Sequence, residues 1–475
     1  MDVEPGFDLR LSQSRHLSTE DDRMHAAIAV TATGPAGSAA ATAEVAQVIA
    51  VDCSGSMSHP ATKIAAAVRG TKAAVDALRE NAWFAVIEGT HGARQVYPPS
   101  GLVRADPTTR REAKAAVQKL YAFGGTAMST WLRLAGQVLA GHPSAVRHVI
   151  LLTDGQNDPH DDLESALADC RSRFTCDARG VGTDWQPTEL LRIAEVLHGT
   201  ADAIRRDADL AADFTAMTGA AMAKLVPELR IVVKTVPGAR VDFLHQRHPA
   251  VAELHGEQLD ARTTSFDTGS WGAESREYHL RITVDSTGRP MDTDTRIARV
   301  DLQARAAGSG EFRAACAPQA VLAHWTDDLA LSSRIDPRIA HFTGQTELRE
   351  AVLAGSAAYE VDDLATAAAR WGTAVRLATA SGNERVLERL LRLVDVVGDP
   401  ADGVVTIKDD VAVVDLLSMA VGSTLSSVSP DSSSRHTGSE PPPAATGPGV
   451  VCPACGREWP AGSLFCGGCR ARIGA

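Results

Sequence analysis

The 475-residue chain predicts an α/β protein. Its centre is a doubly wound, mostly parallel sheet, followed by an antiparallel β-sandwich, a small helical module and a short cysteine-bearing unit. Three observations predict this. Residues 44–226 alternate short apolar runs with segments of helical period, as strands joined by right-handed crossover helices do. From 227 to 323 the helical periods stop, and short strand-like runs are separated by turn signals such as Pro237-Gly238. Two CxxC pairs lie within residues 450–475.

Residues 1–43 precede the parallel sheet. Within them His25–Thr33 alternates enough for a strand, and Gly34–Ala43 reads as a small-residue linker. The five strands expected after 227 leave an open edge. The His25–Thr33 strand would cover it, which makes residues 44–226 an insertion into the sandwich. In the core, Val48–Asp52 is the first strand, and Ala61–Arg79 has helical spacing through Ile64, Val68, Val75 and Leu78. Strands follow at Asn81–Glu88 and, as an antiparallel edge, Arg94–Tyr97. Asp106-Pro107 opens a helix running to Leu120, with proline in its first turn. Helices are expected at Met128–Ala140, Asp161–Arg171, Pro187–Leu197 and Leu210–Val226, with strands at His148–Asp154, Phe174–Val181 and Ala201–Ile204 between them.

The sandwich strands are read at Leu229–Val236, Ala239–Leu244, Arg262–Phe266, Glu277–Val284 and Thr295–Ala304. Residues 324–422 return to helical period at Leu348–Tyr359, Asp363–Thr379 and Glu384–Val396, with Asp362 and Asn383 as N-caps. One helical pair is similar to a single tetratricopeptide-like hairpin, but no second repeat follows, so a plain helical packing module is the preferred reading. Val404–Ile407 and Val411–Val414 read as a short strand pair. Residues 423–449 are rich in Ser, Thr, Gly and Pro and cannot bury enough apolar surface to fold, so they are expected to be a disordered linker.

Composition narrows the function classes. Hydrophobic residues make up 44% of the chain, enough for packed cores. A net charge of −12 argues against a nucleic-acid binder. The start has neither a basic n-region nor an apolar h-region, and no run approaches the length of a membrane span. Scattered thiols plus CxxC pairs, without an export signal, point to a reducing cytoplasm.

The stretch Val48–Met57, VIAVDCSGSM, is an apolar strand that delivers Asp52, Ser54 and Ser56 to a loop. Hard oxygen donors at alternate positions suit a small divalent cation. Phe123-Gly124-Gly125-Thr126 adds a hydroxyl on a glycine-rich turn, and His148–Gly155, HVILLTDG, adds Asp154 at the end of a second apolar strand. Open α/β sheets bind ligands outside the carboxyl ends of their strands, where all five residues would lie. Cys53 falls between two of them and reads as a small buried hydrophobe.

Asp52-x-Ser54-x-Ser56, then Thr126, then Asp154, resembles the metal-ion-dependent adhesion site (MIDAS) of von Willebrand factor A (VWA) domains, whose sheet is Rossmann-like. The resemblance covers residues 44–226. It implies Mg²⁺ (or Mn²⁺) with Ser54 and Ser56 as direct ligands and Thr126 direct or through water. Asp52 and Asp154 would sit in the inner or outer sphere. It also implies one coordination position left for an Asp or Glu carboxylate of a partner.

The tail carries Cys452-Pro-Ala-Cys455 and Cys466-Gly-Gly-Cys469, which suit tetrahedral Zn²⁺ held by four thiolates. With every position filled by cysteine, that zinc would be structural, and it would supply the folding free energy of a unit too small for its own core. The unit resembles a zinc ribbon. Three arginines against Glu458 are thin for nucleic-acid contact, so protein docking is the preferred role.

These readings predict an intracellular interaction or scaffold protein rather than an enzyme, capturing an acidic-residue-bearing protein partner. No candidate base or nucleophile is placed beside the oxygen cluster. His160, near the Asp154 loop, reads as a surface residue. The layout resembles VWA and zinc-ribbon proteins of actinobacterial type, which implies a kinase or phosphatase signalling component as partner. The alternative is a VWA subunit docking onto a separate AAA+ ATPase in a chelatase-like machine. The chain has no G-x-x-x-x-G-K-[ST], so it would bring no ATP site of that type.

Overall fold

The computed structural model describes residues 6–33, 43–285, 287, 289–305, 311–429, 450–459 and 473. The Val45–Asp52 strand is buried along its whole length. It lies inside a sheet ordered Ala201–Ile204, Thr175–Val181, Val146–Thr153, Val45–Asp52, Trp83–Gly89, Ala93–Tyr97. All neighbours pair in parallel except the last two, and Val103–Arg104 also pairs antiparallel with the Trp83–Gly89 strand.

Both faces of this sheet are covered, which is why its central strand reads as an unbroken apolar run. Val45, Ile49 and Val51 join one core with the helices Thr62–Ala77, Pro107–Val117 and Leu210–Met222. Ala46, Val48 and Ala50 join a second core with the helices Met128–Leu139, Leu163–Cys170 and Pro187–Val196. Asp106 starts its helix with a full capping box and Pro107 in the first turn.

Two sheets, antiparallel except where His16–Leu17 pairs in parallel with Gln319–Trp325, enclose a third core, which contains Leu9, Ile28, Ile231, Trp271, Leu280, Val300 and Trp325. The Arg23–Thr33 strand lies between Gly6–Gln13 and Ser275–Val284. The chain therefore contributes strands to these two sheets within residues 6–33, leaves them to build the parallel sheet, and returns at Leu229–Thr235, a strand of the other sheet. Gly6–Gln13 and Gln319–Trp325 add strands beyond those expected, and the second runs across residue 323.

The helical segment differs from expectation at its ends. Its first helix begins at Pro337, capped by Asp336, and runs to Glu360. Asp363, not Asp362, caps the next helix, Leu364–Ala380. Asp362 instead turns the chain with a φ of +61°. Asn383 caps Glu384–Leu390, which stops short of 396 because Val394–Val396 pairs with Val405–Ile407. The predicted strand at Val411–Val414 instead leads into the helix Val413–Gly422. Its Leu417 and Val421 share the core beside Ala201 and Ala203 of the parallel sheet's edge strand.

The first residues of the expected linker are also packed. Val251 N–H donates to the Thr424 carbonyl at 2.7 Å, Ser426 N–H to Pro249 O at 3.1 Å, and Ser429 Oγ to Glu277 Oε1 at 2.5 Å. Serines that cannot build a core are held here by acceptors from other elements. Residues 430–449, most of the expected 34–43 linker, and Cys466 and Cys469 lie outside the described residues. Among the described residues, no helix is long and apolar enough to cross a membrane.

Candidate metal centre

The carboxyl end of the Val45–Asp52 strand meets two loops from elsewhere in the chain. Phe123 N–H donates to Cys53 O at 2.7 Å and Gly55 N–H to Gly124 O at 2.9 Å. These two backbone bonds join the Asp52 loop to the glycine-rich turn. On the other side, the Asp158 N–H donates to the Thr126 carbonyl at 2.8 Å. Asn157 Oδ1 accepts from Met128 N at 2.8 Å, and Asp161 Oδ2 from Ser129 N at 2.8 Å. The loop after Asp154 thus caps the helix that follows Thr126, fixing the two with respect to each other.

All five predicted residues come to this end of the sheet. Asp52 is fully buried; its Oδ1 accepts from Ser54 N at 2.7 Å, and its Oδ2 from Thr153 Oγ1 at 2.7 Å. Ser54 Oγ lies 2.9 Å from Ser56 Oγ, and Ser56 Oγ donates to Asp154 Oδ1 at 2.6 Å. Thr126 is buried, and its hydroxyl and that of Ser56 both lie beside Gly155. A Cβ on Gly155 would stand 3.2 Å from Ser56 Oγ and 3.5 Å from Thr126 Oγ1. Glycine there leaves the hydroxyls room to approach one another.

The geometry fits a small cation. Two oxygens on adjacent vertices of an octahedron, each about 2.1 Å from Mg²⁺, stand about 3.0 Å apart. The Ser54–Ser56 hydrogen bond, 2.9 Å long, holds the two oxygens at about that spacing. Ser56 gives its hydrogen to Asp154, so Ser54 is the donor within the pair, which leaves one lone pair on Ser56 and both on Ser54. Burial pushes the Asp52 carboxyl up to about 6, against hydrogen bonds from Ser54 and Thr153 that pull it down, and the charge of Asp154 adds to the rise. A positive charge beside Asp52 would offset that rise.

Sequence reasoning missed Lys63. It lies on the Thr62–Ala77 helix, and its Nζ donates to Asp154 Oδ2 at 2.8 Å and to the exposed Asp184 at 3.4 Å. Burial opposes its charge, but the hydrogen bond and charge of Asp154 outweigh burial and raise its pKa. Cys53 is fully buried among the apolar side chains of the first core, and burial pushes its thiol well above the ordinary range. His160 is exposed on the loop beyond Asp154.

The family model for the von Willebrand factor type A domain matches residues 20–203. A solved von Willebrand factor type A structure from Catenulispora acidiphila is 38% identical and superposes with a TM-score of 0.81 over 90% of this chain and 98% of that one. The chain belongs to the von Willebrand factor type A family. The crystal structure of the ArnB paralog VWA2 from Sulfolobus acidocaldarius shares the VWA fold at 12% identity, with a TM-score of 0.53 over 89% of this chain and 100% of that one. An uncharacterized protein of Synechocystis is 30% identical over 159 residues, 32% of this chain and 36% of its own length. The match therefore spans about a third of that curated relative. VWA proteins generally mediate protein–protein interactions.

At the other end of the chain, the Val450–Val451 and Glu458–Trp459 strands pair. The turn between them is closed by Gly456 N–H donating to Cys452 O at 2.8 Å and Cys452 N–H donating to Arg457 O at 2.8 Å. Cys452 and Cys455 of the predicted zinc set lie on this turn.

Proposed function

We propose that the Asp52 loop, Thr126 and Asp154 form a metal-ion-dependent adhesion site, and that the protein is a non-enzymatic interaction protein acting through it. The observation that carries this is the Ser54–Ser56 pair, held at the spacing of an octahedral edge with Ser56 donating to Asp154. When bound, Mg²⁺ or Mn²⁺ would supply an open coordination position for an outside carboxylate. Asp52 orients the loop through the Ser54 N–H, Ser54 and Ser56 present neutral oxygens, and Asp154 holds the Ser56 proton. Neutral hydroxyls as direct ligands keep a cation electrophilic, which favours an acidic side chain of a protein partner, such as a kinase or phosphatase signalling component.

The tail belongs to the same reading. Cys452, Cys455, Cys466 and Cys469 hold a structural Zn²⁺ in a ribbon, and the thiolate set suits a reducing cytoplasmic setting. The tight turn from Cys452 to Gly456, whose φ is +71°, supports it by bringing the first two cysteines of the set onto one short loop.

Affinity capture with the full chain tests the reading. Partners recovered in Mg²⁺ should be lost when Mg²⁺ is withheld and in Thr126→Ala. Equal recovery in all three arms contradicts it. A Mg²⁺-dependent AAA+ ATPase among the partners would favour the chelatase-like alternative.

A further inference from the structure

Lys63 stands out once the charges around the site are counted. Its side chain is only 7% exposed, and it reaches Asp154, whose side chain is fully buried. The stem runs over Gly182, where the backbone φ is +77° and a Cβ would stand 2.9 Å from Lys63 Cε and 3.1 Å from Nζ. The ammonium therefore has a place cut for it. Asp154 thus uses one oxygen for the Ser56 hydroxyl and the other for a fixed positive charge.

The consequence is electrostatic. Asp52 and Asp154 together carry two negative charges, which a divalent cation would cancel. Asp184, the other partner of Lys63, is 65% exposed, so water and salt screen most of its charge. Among charged groups hydrogen-bonded to the Asp52 and Asp154 carboxylates, the remaining balance is the positive charge of Lys63. An incoming carboxylate brings the site to neutrality, whereas a neutral ligand leaves it positive.

We propose that Lys63 sets the selectivity of the metal site: it weakens binding of the bare cation and strengthens capture of an anionic ligand on the loaded site. This rests on the metal reading of the Asp52 loop. Because binding free energies are reciprocal, an anion should also tighten the cation, and the size of that coupling should depend on Lys63.

Mn²⁺ titrations followed by electron paramagnetic resonance test it on the full chain, in chloride and in acetate at matched ionic strength. Lys63→Met removes the charge and keeps the stem. Lys63→Gln keeps a donor for Asp154, and Lys63→Arg keeps the charge. In wild type and Lys63→Arg, acetate should tighten Mn²⁺. Lys63→Met and Lys63→Gln should bind Mn²⁺ in chloride roughly tenfold more tightly and lose most of the acetate effect. Wild-type Mn²⁺ affinity and acetate response in both neutral variants, with binding still abolished by Asp154→Ala, would overturn the role of Lys63 alone. No Mn²⁺ binding in wild type would overturn the metal reading and this inference with it.

Discussion

The Ser56 hydroxyl donates to Asp154 Oδ1 across 2.6 Å although the two residues stand 98 positions apart. This contact closes the Asp52 loop onto the neighbouring strand of the parallel sheet. Removing the hydroxyl in Ser56→Ala should cost about 1.5–3 kcal/mol of stability, the net worth of a bond to a charged carboxylate. Chemical denaturation checks this. The same variant should lose most of its Mg²⁺ affinity, so its metal defect should exceed its folding defect.

Gly155 lies beside the hydroxyls of both Ser56 and Thr126. Gly155→Ala would place a methyl 3.2 Å from Ser56 Oγ, tighter than ordinary van der Waals contact. The expected outcome is a folded protein with a displaced hydroxyl and Mg²⁺ affinity reduced at least about tenfold, the effect of about 1.4 kcal/mol. Calorimetric titration beside a thermal melt separates the two effects.

Arg389 of the helical segment reaches Asp202 on the edge strand, with Nη2 2.8 Å from Oδ2, and also donates to Ser418 Oγ at 2.8 Å. Burial opposes the charge on Asp202, but the bond and charge of Arg389 hold its carboxyl below the usual range. Arg389→Met should destabilise the chain by about 1.5–3 kcal/mol, the range of charge-assisted bonds. A lowered thermal midpoint, with limited proteolysis cutting first in the helical segment, is the expected readout.

Histidines on the antiparallel layer make stability depend on pH. Burial, aided by Arg247 and Arg281, lowers His245 to about 4, and burial holds His279 well below the ordinary value. The unfolded chain takes up these protons near pH 6.5, whereas the folded chain resists them until lower pH. Their neutral forms therefore stabilise the fold above pH 6.5, and that contribution is lost as pH falls from 6.5 toward 4. Each residue contributes up to about 1.4 kcal/mol per pH unit across its window. His245→Gln should flatten the acid limb of the stability profile measured in urea.

Much of the parallel sheet, and the oxygen donors that gather at its carboxyl end, could be read in advance, for physical reasons. A strand covered on both faces must be apolar throughout, so Val48–Val51 announces itself, and the oxygen donors follow it directly. Lys63 could not be read. On an amphipathic helix it looks like any solvent-facing lysine, and its partner lies 91 residues away. The Gly6–Gln13 strand did carry a signal, the alternation of Phe7, Leu9 and Leu11. Asp336-Pro337 likewise marked the true helix start. Glu384–Val396 misled because Val386, Leu387, Leu390 and Val394 keep a helical period up to the point where the backbone turns into a strand.

The central claim is that oxygens from three distant segments hold one divalent cation. Calorimetric titration of Mg²⁺ into the full chain, beside Thr126→Ala, tests it most directly. Thr126 belongs to neither the Asp52 loop nor the Asp154 strand, so its removal should disturb the fold little. The account predicts saturable binding to one site in wild type and affinity at least about tenfold weaker in the variant. Superimposable isotherms for the two proteins, or no binding by wild type, would contradict it.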